Sequence, residues 1–139
     1  MFRTRILSLP ASFALAWAAC GCTLLAPQSC PAGLKPMTEA ELLFGRGIAG
    51  GGTVGDADWR SFLDAEVTPR FPDGLTVEDA SGQWKDAGGI VRESSKRLVI
   101  VLPGTADDEG KLSAIRQAYK ARFRQDAVLV VETKGCGSF

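Results

Sequence analysis

Hydrophobic residues change their spacing several times along the chain, and each change marks an element. Ile6 to Ala19 is an uncharged run rich in Leu, Ala, Phe and Trp, placed behind the basic pair Arg3 and Arg5. Thr23 to Pro36 has little periodicity and contains Pro27, Pro31, Gly33 and Pro36. Glu39 to Ile48 alternates loosely around Leu42, Phe44 and Ile48, which predicts a strand. After Gly50-Gly51-Gly52, the apolar residues Trp59, Phe62, Leu63 and Val67 recur at three- and four-residue steps. This spacing predicts a helix over Asp56 to Val67. Asp56 and Asp58 suit the positive end of its dipole. Val54 and Trp59 flank a Gly55 N-cap as a hydrophobic staple would. Pro69 and Pro72 end the helix.

The second half repeats the scheme with a hairpin in front. Leu75 to about Trp84 predicts a strand, Lys85 to Gly89 is turn chemistry, and Ile90 to Glu93 returns as the other arm. Lys96 to Leu102 is a separate strand after Ser94-Ser95, and its near-continuous apolar run Leu98-Val99-Ile100-Val101-Leu102 suits a central strand covered on at least one face. Asp107 and Asp108 open a second helix to about Arg124, with Leu112, Ile115, Tyr119 and Phe123 as its stripe. Ala127 to Thr133 is the last strand. The order βαββαβ predicts an α+β, ferredoxin-like sandwich: one antiparallel or mixed sheet with two helices on one face. In that topology the last strand lies antiparallel beside the first, so the two ends of the domain meet.

The opening segment is an address. A basic start, an apolar run of about 14 residues and small residues after it read as a secretory signal, too short for a spanning helix of about 20. Small residues before Cys20 and Cys22 resemble a lipobox, in which the cysteine is acylated and becomes the first residue. Cleavage before Cys22 leaves Cys30 and Cys136 as an even pair, whereas cleavage before Cys20 leaves three thiols. Cys22 is therefore the expected lipidation site, with Cys20 as the alternative. The expected organisation is a signal over 1–21, a Pro-rich tether over 22–36 and one domain over 37–139. Cys30 and Cys136, near the meeting ends of the domain, are the expected disulfide, which an exported protein permits. The expected location is the bacterial envelope, facing the periplasm and held by lipid, or else soluble in the periplasm.

Composition narrows the chemistry. The 139 residues hold 16 basic and 16 acidic side chains and no histidine. Histidine-based relays, HExxH zinc sites and histidine-ligated haem are excluded. Balanced charge argues against nucleic acid as a partner. Neither a catalytic set nor a metal or cofactor site is expected. Gly45-x-Gly47-x-x-Gly50 spells a dinucleotide fingerprint, but the helix begins only near Asp56, so a loop is the reading. Asp107-Asp108-Glu109 reads as helix-end charge. Arg116, Lys120 and Arg124 form a basic stripe, usually a solvated face.

Arg70 stands between Pro69 and Phe71-Pro72, where a stiff turn presents its guanidinium accurately to a carboxylate or phosphate, or ties it to nearby carbonyls or to an acid such as Asp73. Gln83 and Trp84 offer an amide and a ring at a strand end. A surface near Arg46, Arg70, Gln83, Trp84 and Lys96 is the candidate ligand or partner site.

Several strings resemble a family of bacterial proteins. They include Glu41-Leu42-Leu43-Phe44-Gly45, Asp58-Trp59-x-x-Phe62-Leu63 and Val67-Thr68-Pro69-Arg70-Phe71-Pro72-Asp73-Gly74-Leu75-Thr76. Gly82-Gln83-Trp84, Ala114-Ile115-Arg116-x-Ala118-Tyr119-Lys120-x-Arg122-Phe123 and Ser138-Phe139 complete the set. The pattern is similar to DUF3574, a domain of unknown function often carried by exported lipoproteins. The likeness covers about residues 37 to 139. It implies export and one compact domain, and brings no catalytic residue.

The expected function is binding or interaction in the cell envelope, through the membrane anchor and either an envelope protein or a small anionic ligand. The alternative is a small cofactor-poor enzyme whose pocket forms between the sheets of a homodimer. A third reading is a structural envelope component.

Overall fold

The computed structural model describes residues 29–139. The signal segment and both candidate acylation cysteines, Cys20 and Cys22, lie outside the described residues. The elements are β1 (Lys35–Gly45), α1 (Asp56–Phe62), β2 (Thr76–Asp86), β3 (Gly89–Leu102), α2 (Asp108–Phe123) and β4 (Leu129–Gly137). A π-helical turn over Leu63–Val67 continues α1. The strands form one sheet in the order β2-β3-β1-β4, and every neighbouring pair is antiparallel. This is the ferredoxin-like order expected of βαββαβ.

Alternation places one set of side chains under the helices. Ala40, Leu42 and Phe44 on β1 and Leu98 and Ile100 on β3 are buried there. Trp59, Phe62 and Val67 come down from the first helix, and Leu112, Ile115, Tyr119 and Phe123 from the second. Phe44 is the hub. Its ring centroid lies 5.1 Å from Trp59, 5.8 Å from Phe62 and 4.7 Å from Tyr119, in edge-on geometry. Edge-to-face packing adds to the burial of these large rings. Val54 and Trp59, the two residues of the expected staple, both belong to this core.

Boundaries differ from the sequence expectation where local pattern is silent. β1 begins at Lys35, because Lys35 and Pro36 pair with Gly137 and Cys136. It ends at Gly45 rather than Ile48. Beyond it the chain doubles back through a bridge between Gly47 and Thr53, with Gly50, Gly51 and Gly52 at positive φ. The two arms Ile90–Glu93 and Lys96–Leu102 are one strand, since Ser94 and Ser95 continue the ladder with Ser81 and Ala80. β4 runs four residues past Thr133.

Cys30 and Cys136 are joined by a disulfide, with Cα atoms 5.6 Å apart and 106 residues of separation. The bridge sits at the end of the domain where β1 starts and β4 finishes. No helix among the described residues is long and apolar enough to cross a membrane.

Candidate functional site

The polar side chains gather at the end opposite the disulfide, where β1 stops and α1 begins. Arg46 follows the last residue of β1. Its Nε donates to the Val54 carbonyl at 2.7 Å, and its guanidinium meets Asp56 at 3.0 Å. Lys96, on the helix side of β3, is buried. Its ammonium reaches Asp56 at 3.3 Å and Asp79 at 2.5 Å. Asp56 is the first residue of α1, so the helix dipole adds to its stabilisation as an anion. Hydrogen bonding to Asp79, then to Asp56, raises the Lys96 pKa above its ordinary value against the effect of burial. Hydrogen bonding to Lys96, with the charge of Arg46, lowers that of Asp56. Both acids, Asp56 and Asp79, remain largely in water.

The opposite face of the sheet carries a second arrangement. Glu93 accepts from Trp84 Nε1 at 3.1 Å and from the Gly47 backbone N–H at 3.3 Å. A Cβ at Gly45 would stand 2.8 Å from both carboxylate oxygens of Glu93. The glycine-rich string that spells a dinucleotide fingerprint thus makes room for the chain's own carboxylate. Tyr119 donates to the Gly45 carbonyl at 2.9 Å, and Gln125 donates to the Gly47 carbonyl. Burial pushes the Tyr119 hydroxyl pKa well above its ordinary value. The Gly45–Gly47 backbone is therefore clamped from α2, from β3 and by the sheet.

Beyond Ser95 the sheet has lost β1, and β2 and β3 go on as a two-stranded ribbon. The five pairs from Gly82 with Glu93 to Asp86 with Gly89 extend about 15 Å past the body of the sheet. Trp84 is 50% exposed on this ribbon and Ile90 is 57% exposed. Gln83 pairs with Arg92 and lies on the face opposite Trp84. A shallow cleft of about 430 Å³ runs along the ribbon beside Gln83, Arg92 and Glu93.

Of the five residues singled out from sequence, Arg46 and Lys96 share one carboxylate, and Gln83 and Trp84 lie on the adjoining ribbon. Arg70 is elsewhere. Its guanidinium donates to the Glu66 carbonyl and to the Glu66 carboxylate at 2.9 Å, closing the C-terminal end of the first helix. That is the other end of the domain. Asp56, Asp79 and Glu93 hold the site together and were not singled out as site residues. The cross-strand register of the hairpin was the available signal, since Trp84 and Glu93 fall on one face two positions apart. The Asp107-Asp108-Glu109 cluster keeps a structural role. Asp108 accepts from the Gly104 and Thr105 backbone N–H groups and from the Thr105 hydroxyl. Among the described residues no group of acidic or sulfur side chains has the arrangement to hold a metal ion.

Fold and disulfide together define a small α+β sandwich of the ferredoxin-like type. The chain belongs to the family described as "Protein of unknown function (DUF3574)", whose model matches residues 39–139. No curated protein matches it in sequence. Among solved structures it is similar to a phage SAM lyase in complex with S-methyl-5'-thioadenosine, with a TM-score of 0.58 and 17% identity over 74% of this chain and 90% of that one. A phage SAM lyase in its apo state gives 0.58 and 19% over 71% and 81%. CutA from Synechococcus elongatus gives 0.52 and 11% over 77% and 87%. At these identities the likeness is one of fold.

Proposed function

We propose that this chain is an exported, lipid-anchored binding domain that works on the periplasmic side of a bacterial envelope. The observation that carries the reading is the placement of the Cys30–Cys136 disulfide. Such bonds persist in oxidising compartments, and this one closes the domain at the point where the Pro-rich segment enters it. The candidate site lies at the other end. β1 spans about 33 Å, so an anchor before Cys30 leaves Arg46, Lys96 and the ribbon facing away from the membrane. A rigid end with a projecting ribbon suits recognition of a second envelope protein. The ion cluster fixes the base of the ribbon, and Ile90 and Gln83 are presented on it.

Intact mass measurement of the protein extracted from membranes of its bacterial host tests the anchor and the bond together. The expected result is a diacyl or triacyl adduct on Cys22 with two hydrogens fewer than the reduced chain. A soluble chain without lipid and with free thiols overturns the reading. Photo-cross-linking from position 90 in cells tests the partner, and the expected product is one discrete protein adduct. A cross-link pattern indistinguishable from that of a probe on the outer face of α2 overturns it.

A further inference from the structure

Both edges of the sheet are open. β2 is an edge over all its 11 residues and β4 over all its 9, and neither contains a proline. Natural sheets blunt such edges, because a row of unpaired N–H and C=O groups is a template for another strand. β2 runs in the direction of β1, and β4 runs against it. A second copy turned about an axis along the strands therefore brings its β4 antiparallel to β2 of the first, with the helices of both on the same side.

Side chains select a register. Aligning the faces allows only every second register, because a one-residue slip turns each side chain over. In one of these Asp79 stands opposite Lys134 of the second copy and Trp84 opposite Leu129. Ala80 then faces Thr133, and Gly82 faces Val131. No like charges are opposed, and all nine residues of β4 are paired. Sliding by two residues one way puts Asp79 opposite Glu132, and sliding the other way loses the ion pair. Trp84, Leu129 and Val131 are 50%, 55% and 47% exposed, and this register covers them. Lys134 has no acidic partner among the described residues. Asp79 meets Lys96 through one oxygen only.

The open face of the sheet is a poorer place for a copy. There Arg97 is held between Glu41 and Glu78, each at 2.9 Å, and Glu39 adds a further acid. Two such faces would oppose three carboxylates and one guanidinium with the same set.

We infer that the protein assembles with copies of itself by adding β4 of one chain to the β2 edge of the next, in the register that places Asp79 against Lys134. This interface is head-to-tail, so it closes into a ring when the rotation permits. It leaves Ile90 and the ribbon tip free, and it stands independently of the envelope reading.

The test uses the full chain in mild detergent. Native mass spectrometry is expected to show one discrete oligomer. Chains carrying both Ala80→Cys and Thr133→Cys are expected to cross-link between copies, whereas Ala80→Cys with Leu129→Cys is not. Lys134→Glu and Leu129→Glu alter exposed side chains of the single chain, so each is expected to keep its circular dichroism spectrum. Each is expected to weaken association by roughly tenfold or more. A monomer at all concentrations overturns the inference. So does an oligomer that survives both edge variants and falls apart on Val101→Glu, which would mark face-to-face pairing.

Discussion

At the residue scale, Asp108 shows how an acidic run at a helix start is put to use. Burial raises its carboxyl pKa, but the Thr105 hydroxyl and two backbone N–H groups more than offset this, and the group ends below its ordinary value. A carboxyl depressed by folding contributes stability above its unfolded pKa and loses it as pH falls through the folded one. Asp108→Asn is expected to cost about 1–2 kcal/mol at neutral pH. It should also flatten the acid limb of a pH-dependent melting curve below about pH 4. Lys96 has the opposite sign. Its raised pKa means that its contribution is present below its ordinary value near 10.5 and fades as pH rises through the folded one. Because Asp56 and Asp79 stay largely in water, Lys96→Met should cost less than about 1 kcal/mol in chemical denaturation. Phe44→Ala, at the hub of the aromatic core, should cost about 3–5 kcal/mol in the same measurement. The aromatic core was legible from periodicity alone. The meeting of Arg46 and Lys96 on Asp56 was not, because a first-turn aspartate already has a local explanation in the helix dipole. Arg70 was legible as a turn residue that ties to carbonyls. Its acid is Glu66, one helical turn back, and not Asp73 beyond the turn.

At the element scale, the β2–β3 hairpin departs furthest from its sequence pattern. Ser94-Ser95 reads as an interruption between two strands, yet Ser95 pairs with Gly45 on one side and Ala80 on the other, both small, and is buried between them. Polarity suggested a break, and the register between three strands overrode it. The same register brings the Glu93 carboxylate over Gly45. Gly45→Ala would push the Glu93 carboxylate, the far end of a flexible side chain, away from the Trp84 ring nitrogen. The expected outcome is a small stability change, below about 1 kcal/mol, with altered emission of Trp84. Unchanged tryptophan fluorescence would mean that the ring takes its position from the ribbon alone. The helices were easier to read. α1 starts at Asp56 as its charges and staple require. Its final π-helical turn, closed by the Thr68 N–H on the Leu63 carbonyl, leaves no mark in a three-and-four spacing.

At the scale of the whole molecule, the strand order was legible because only a few topologies suit βαββαβ, and that order in turn predicted which cysteines meet. What a single sequence does not contain is the use made of the two sheet edges, since open edges become visible only when the strands are placed. In the chain-entropy model, closing a loop of 106 residues stabilises the domain by about 4.7 kcal/mol. Cys136→Ser is expected to lower stability by about 2–5 kcal/mol, read as a fall in denaturation midpoint that reductant reproduces in the parent chain. An unchanged midpoint would show that the sheet carries the domain by itself.

The position of that bond also decides how the domain responds to being pulled. Tension arriving through the residues before Cys30 would, in a reduced chain, enter at β1 alone. The covalent link ties Cys30, ahead of β1, to Cys136, one residue from the outermost strand pair of Lys35 with Gly137, so in the oxidised chain the same tension enters β1 and β4 together. The two strands are side by side and are loaded from the same end, so the ladder between them is spared and β4 cannot peel from its terminus. The rate of forced unfolding is set by the barrier and not by equilibrium stability. Reduction would therefore change the mooring from two strands to one, and an oxidised domain held in a force probe should outlast a reduced one.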